Sequence, residues 1–463
     1  MEPARATAAA EDEGYAKSLG NRQVQMIALG GAIGVGLFLG AGGTLSQSGP
    51  ALVLVYAVCG IAAFFVMRAL GELVTHRPVA ASFVAYAREF VGPWAGFASG
   101  WLYWASWAMT GIAEITAVAI YLNRWLPEVP QWVTALVALA FLLVVNLVSV
   151  KLFGELEFWF AIIKVLAILI FLAVGAALVI NGADMGGGMT AGVANLTGHG
   201  GLFPFGLGAV LLTMQSVIFA YSAIELVGIT AGETASPATV LPRAINGVVW
   251  RISVFYVGSV LLLVMVLPWT AYSGAESPFV TVFSRLGVPI IGDVMNAVVL
   301  TAALSSCNSG LYSTGRILRS LAQQGEAPRF TARLSGTQVP VGGILFTGAT
   351  FGIGVLLNYL VPQQAFDLAV AIASLGVIST WGTLLWCQLR LRRAALRGEV
   401  RRPLYRMPGA PYSGWITLAF LGFLLGFMAF SDGVERYAVY SIPVVALALW
   451  LGWRVVRRRA RLT

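Results

Sequence analysis

The chain has 463 residues, 58% of them hydrophobic and 11% charged, with a formal net charge of +9 at pH 7. Soluble globular domains carry roughly a quarter charged residues, so a water-surrounded fold is excluded and a lipid-embedded one is indicated. The basic excess would suit nucleic acid, but its distribution along the chain points to membrane topology instead.

Residues 1–22 contain Glu2, Glu11, Asp12 and Glu13 and lack an apolar stretch of signal-peptide length, so they read as a short cytoplasmic tail. Apolar runs of about 20 residues then place about twelve spans. They lie near 23–46, 50–74, 92–122, 131–150, 157–180, 207–231, 247–269, 291–315, 341–361, 366–389, 412–430 and 437–455. The expected fold is an all-α polytopic membrane protein.

The first span is interrupted by Gly30-Gly31-Ala32-Ile33-Gly34-Val35-Gly36-Leu37-Phe38. Lipid cannot satisfy the backbone groups freed by such a break, so unwound chain survives there only where it lines a cavity or binds something. In the second span Arg68 and Glu72, spaced i, i+4, are expected to form a helix-end pair. The third span combines Trp101, Tyr103, Trp104 and Trp107, read as belt or packing, with Glu114 deep in apolar surroundings. Glu114 serves equally as a functional carboxyl or as a hydrogen-bonded structural one. Lys164 lies inside the fifth span among Ile162, Ile163, Val165 and Leu166. A desolvated lysine there can trade a proton during transport, with snorkelling to the interface as the alternative.

The loop 181–206 has no Lys or Arg, and its sequon Asn195-Leu196-Thr197 reads as a chance occurrence. The sixth span carries the second break, Phe219-Ala220-Tyr221-Ser222-Ala223-Ile224-Glu225-Leu226-Val227-Gly228. Phe219 is placed to cover a cavity, and Glu225 to cap the second half-helix in a structural role. Ser305, Ser306, Asn308, Ser309, Ser313 and Thr314 make the eighth span unusually polar, with helix packing as the default reading. Cys59, Cys307 and Cys387 fall in spans as small buried residues, and His76 and His199 form no metal spacing. No metal or cofactor is called for.

Lys17, Arg22, Arg77, Arg88, Lys151, Arg243, Arg316, Arg319, Arg329, Arg333, the loop 390–406 and the arginines of 454–461 all fall on one side of this arrangement. The positive-inside rule makes that side, and both termini, cytoplasmic. The breaks are five spans apart, an odd number, so they run in opposite directions. This predicts an inverted repeat, 23–180 and 207–392, joined by the extracytoplasmic loop 181–206. A basic cytoplasmic connector, 393–411, leads to two additional helices and a basic tail, 412–463.

The first break, together with Ala69-Leu70-Gly71-Glu72-Leu73, Phe153-Gly154-Glu155-Leu156-Glu157-Phe158-Trp159 and Ile224-Glu225-Leu226-Val227-Gly228, resembles the bacterial amino acid permeases of the amino acid–polyamine–organocation superfamily. Gly201-Leu202-Phe203-Pro204, Ser277-Pro278-Phe279-Val280-Thr281 and Met407-Pro408-Gly409-Ala410-Pro411 look most like the L-asparagine branch. The resemblance implies a five-plus-five inverted repeat with two extra helices, in a bacterial cytoplasmic membrane. It also implies proton symport of a small neutral amino acid by alternating access, with sodium less favoured. By the same resemblance, N–H groups of Ile33, Gly34, Val35 and Gly36 would hold the substrate carboxylate. Carbonyls of Leu29 or Gly30, Phe219 and Ser222 would hold its ammonium, Phe219 would gate, and Lys164 or Glu114 would carry the coupled proton. Glu114 stands where asparagine permeases carry Asp and looks like other branches of the family. Pro93-Trp94-Ala95-Gly96 and Thr110-Gly111 also look like the glycine, D-serine and D-alanine carriers, and aromatic or γ-aminobutyrate permeases stay open as relatives. Partners are the amino acid and the bilayer, with no nucleic acid.

A membrane-embedded enzyme would need a nucleophile with a base in reach or a metal cluster, which the pattern does not offer. A sensor that binds the amino acid without net transport is the remaining rival from another class. A channel fits paired half-helices less well.

Overall fold

The computed structural model describes Met26 and residues 33–79, 82–229, 242–247, 252–361, 365–431 and 433–460. Their chain is helical throughout, apart from turns and one isolated bridge, Asp184–Thr190, in the loop before the sixth span. In chain order the helices that build the bundle are α1 (Val35–Phe38), α2 (Gly40–Ser48), α3 (Leu52–His76), α4 (Phe83–Phe90), α5 (Pro93–Asn123), α6 (Gln131–Val148) and α7 (Val150–Ile180). There follow α8 (Gly206–Ala220), α9 (Leu226–Ile229), α10 (Ser259–Val266, entered through a π-helical turn Ile252–Gly258), α11 (Pro278–Ser284) and α12 (Pro289–Gln323). The last are α13 (Val341–Leu360), α14 (Ala365–Leu396), α15 (Tyr412–Ala429), α16 (Val434–Tyr440) and α17 (Ile442–Ala460). Among the described residues nine helical runs are long and apolar enough to cross a membrane, with shorter apolar helices at Gly206–Ala220 and Ser253–Val266. The protein is a polytopic membrane protein.

Local chemistry sets the helix ends. Pro93, Pro278 and Pro289 sit in first turns, where a missing N–H costs nothing, and the Ser149 hydroxyl accepts from Leu152 N at 3.1 Å to start α7. That cap begins α7 seven residues ahead of the expected start at 157. Likewise α12 continues eight residues past 315, because Arg316 and Arg319 are buried against protein rather than exposed to lipid headgroups. The short helices α4 and α11 fill two loops in which no helix was expected.

Helix α5 is the hub, packing on α12, α13, α14 and α4. Small residues permit this: Gly111 faces the Phe351 ring, and a methyl at Gly310 of α12 would stand 2.6 Å from Trp107. The aromatic group of α5 is packing rather than belt. Trp101 Nε1 donates to the Glu326 carbonyl, Trp104 Nε1 donates to Thr347 Oγ1, and the Tyr103 ring packs tilted against Phe83, centroids 4.7 Å apart. All three cysteines are buried and free. By contrast α17 keeps its apolar face outside the bundle and touches it mainly through Trp453, against Trp94 and Phe97.

Arg68 and Glu72 do not form the expected pair. Glu72, fully buried, accepts from Arg402 Nε (2.7 Å), Gln388 Nε2 (2.9 Å) and Met407 N (2.9 Å). Arg68 instead donates to Asn246 Oδ1 and the Arg406 carbonyl and lies over the Tyr405 ring. A desolvated carboxylate takes the partner that brings the most donors. Here that partner is the 397–411 loop, which is thereby strapped across the ends of α3 and α14.

Candidate functional site

The two breaks meet. Gly34 is extended (φ −125°, ψ −161°) and α1 starts immediately after it. On the other side α8 ends at Ala220, residues 221–225 turn, and α9 resumes at Leu226. Gly36 rests directly on Ala220, where an added methyl would lie 2.5 Å from the Ala220 Cα. Tyr56 of α3 spans both: its hydroxyl donates to the Gly36 carbonyl at 3.5 Å, and its own carbonyl accepts from the Tyr221 hydroxyl at 2.8 Å. Ala223 holds φ +67°, a left-handed conformation that costs a non-glycine residue about 1–2 kcal/mol. The buried Glu225 carboxylate lies against the backbone N–H groups of Ala223 and Glu225, at the start of α9 where negative charge is favoured.

Beneath the first break lies a buried polar network between α5, α7 and α12. The Glu114 carboxyl faces the Val35 N–H and the Ser306 hydroxyl, and its Oε1 is the atom that a methyl at Gly34 would strike, at 2.9 Å. Lys164 Nζ donates to Ser305 Oγ at 2.9 Å, and Ser305 Oγ donates to Glu157 Oε1 at 2.7 Å. Lys164 and Glu157 both have 0% exposure, and Glu114 is in Coulombic range of Lys164. Behind them Asn146 Nδ2 donates to Asn308 Oδ1 at 2.7 Å. Ser305 and Ser306 are therefore links between ionisable groups rather than generic helix packing.

Above the breaks a vestibule of about 1300 Å³ opens toward the ends of α2, α5, α13 and α14. Gly36, Gln215 and Phe219 lie at its inner end, and Asp367 and Glu435 line it further out. Phe219 is 2% exposed and sits one helical turn beyond Gln215 on α8. Gln215 Nε2 donates to Ser216 Oγ at 2.8 Å, while its buried Oε1 has no hydrogen-bond partner among the described residues.

Of the residues expected to hold substrate, Gly36 and Phe219 line this vestibule. Gly34 and Val35 are at the break but face the Glu114 carboxyl. Ile33 is buried next to them, and Ser222 lies in the second turn, its N–H donating to the Phe219 carbonyl at 2.9 Å. Gly30 lies outside the described residues. Lys164 and Glu114 come together, and Lys164 does not snorkel. Sequence reading missed Glu157, which stands seven residues before Lys164 and so on the same face of α7, two turns away. That spacing was the available signal. Gln215 was missed too, and its signal was a carboxamide flanked by Thr213 and Ser216 in an otherwise apolar helix. The Asn195 side chain of the sequon is spent on the Thr190 and Met265 carbonyls.

Comparison with known proteins gives a single picture. The model of the amino acid permease family matches residues 23–463. The chain is 54% identical over 452 residues to the L-asparagine permease of Escherichia coli, covering 97% of this chain and 90% of that one. It is 55% identical over 452 residues to the L-asparagine permease of Streptomyces coelicolor, covering 97% and 92%. L-asparagine permease 1 of Mycobacterium tuberculosis is 53% identical over 457 residues, covering 98% and 93%.

Proposed function

The chain belongs to the amino acid permease family, a transporter and not an enzyme, and we propose that it imports L-asparagine by proton symport. The observation that carries the substrate is identity above 50% over nearly the whole chain to several proteins named L-asparagine permease. The buried carboxamide oxygen at the inner end of the vestibule agrees with it: Gln215 Oε1 lacks a donor among the described residues, and a carboxamide side chain supplies one.

The architecture we propose is twelve spans in a five-plus-five inverted repeat, 23–180 and 207–392, with the loop 181–206 between and two helices of 412–463 appended. Support comes from breaks five spans apart and from short helices, Phe83–Phe90 and Pro278–Ser284, in corresponding loops after the second and seventh spans. The basic connector 393–411 and both termini are cytoplasmic by the positive-inside rule, in a bacterial cytoplasmic membrane. The vestibule then faces outward. Substrate descends past Phe219 to the breaks, where N–H groups of Ile33, Gly34, Val35 and Gly36 receive its carboxylate and carbonyls of Gly30, Phe219 and Ser222 its ammonium. Glu225 holds the second break open. Glu114 faces Val35 at the carboxylate end of the proposed site, so an arriving carboxylate links substrate binding to the protonation of Glu114 beside Lys164.

Uptake of labelled L-asparagine into proteoliposomes, acid outside and without sodium, tests this reading. Expected is accumulation abolished by an uncoupler and blocked better by unlabelled asparagine than by glycine, D-serine, alanine, aromatic amino acids or γ-aminobutyrate. Better block by another amino acid overturns the substrate. Saturable binding without uptake makes the protein a sensor.

A further inference from the structure

We propose that Glu157 is the third member of the proton-coupling centre, so that one lysine faces two carboxyls and the transported proton is the charge that balances the second of them. The inference rests on the symport reading above and names the group that the coupled proton serves.

The geometry is a continuous chain. Glu157 Oε1, Ser305 Oγ and Lys164 Nζ are joined by hydrogen bonds of 2.7 and 2.9 Å, all within the bundle. On the other side Lys164 meets the field of Glu114, whose carboxyl lies beside Ser306 and faces Gly34 and Val35 at the first break. Consecutive serines of one helix thus serve the two carboxyls. The centre connects α7 through α12 and α5 to the segment proposed to bind substrate.

Charge counting gives this arrangement its meaning. Among the described residues, the other groups facing the centre are neutral: Tyr121 and Cys307 beside Glu114, Asn308 and Ser309 beside Glu157, and Asn146 behind Asn308. With Lys164 protonated and both carboxyls ionised the centre carries one uncompensated negative charge in a site that excludes water. Interiors tolerate such a charge poorly, least of all at membrane depth. One added proton brings the sum to zero. Room for it exists on both sides, since Oε2 of Glu114 and Oε2 of Glu157 are each buried without a hydrogen-bond partner among the described residues. The step is simple: an O–H bond forms on one carboxylate when the centre loads from outside, and it breaks on the inside, returning the centre to a single negative charge. Lys164 stays the shared cation between the two carboxyls.

Glu157→Gln keeps the shape and removes that second negative charge, leaving Lys164 and Glu114 balanced without a proton. Expected is a protein that still exchanges labelled for unlabelled asparagine in a counterflow assay but no longer accumulates it under an imposed pH gradient. Its exchange rate should also lose the pH dependence of the wild type. Gradient-driven accumulation at the wild-type level by Glu157→Gln overturns the proposal. So does loss of counterflow and accumulation together in a variant that purifies as a monodisperse species, because Glu157 would then support the site rather than the proton. Should that variant fail to assemble, Ser305→Ala removes only the bridging hydroxyl. It should shift the pH of half-maximal uptake, and an unmoved profile overturns the proposal. If wild-type uptake ignores the pH gradient altogether, the symport reading falls first and this inference with it.

Discussion

Replacing Gly36 by alanine tests whether contact between the two breaks belongs to the transport cycle. The added methyl would lie 2.5 Å from the Ala220 Cα and 3.0 Å from both the Ala220 Cβ and N. Carbon atoms pack comfortably at about 3.5–4.0 Å, so the two segments must part by roughly 1 Å. The obstructing atoms are mainly backbone, and no rotamer change relieves them. Overpacking of this kind costs about 1–3 kcal/mol. The cost falls on every state in which the first and second breaks touch. At about 1.4 kcal/mol per tenfold, uptake should fall roughly 5- to 150-fold. Gly40→Ala is the control on the next turn. Its methyl would meet only the Val35 carbonyl oxygen at 3.7 Å, an ordinary contact, and alanine favours the helix by about 1 kcal/mol. Initial rates of labelled asparagine uptake in proteoliposomes, normalised to reconstituted protein, read the difference, and thermal unfolding in detergent reports folding separately. Equal rates for Gly36→Ala, Gly40→Ala and wild type would refute the reasoning.

Lys164→Ala should abolish the response of uptake to an imposed pH gradient, and a full response in that variant removes Lys164 from proton coupling. Glu72→Gln breaks a buried pair in which Arg402 keeps some contact with water. The expected loss of stability is therefore about 3 kcal/mol, the low end for such pairs, seen as a lower unfolding midpoint; an unchanged midpoint would mean that the 397–411 strap does not hold the bundle end. Gln215→Leu should raise the KM for asparagine while leaving that for alanine unchanged, measured as competition against labelled substrate. Equal effects on both would show that Gln215 does not read the side chain.

That the chain crosses a membrane many times, where its helices break and which charges enter the interior were legible from the sequence, because lipid imposes its own grammar. A chain crossing hydrocarbon must be helical and apolar, so departures such as Gly30–Gly36, Glu114 and Lys164 stand out against the background. The region around Glu157 gave no such contrast. It stood at the expected start of its span, beside Glu155, where an acidic residue reads as interface. Only the longer α7, started by the Ser149 cap, and its packing on α12 take Glu157 inside while leaving its neighbour Glu155 partly exposed.

Arg68 and Glu72 make the complementary point. Their i, i+4 spacing permits a pair, and helix geometry alone would form one. The competing donors Arg402, Gln388 and Met407 N are more than 300 residues away in the chain, so no local rule could anticipate them. Periodicity and composition thus determined that this protein spans a membrane, where its helices break and which charges enter the bundle. Which faces meet was decided by tertiary packing, because a helix presents all its faces at once and only its neighbours desolvate one of them. That is why the partners of Lys164, Glu72 and Glu114 became visible only in three dimensions.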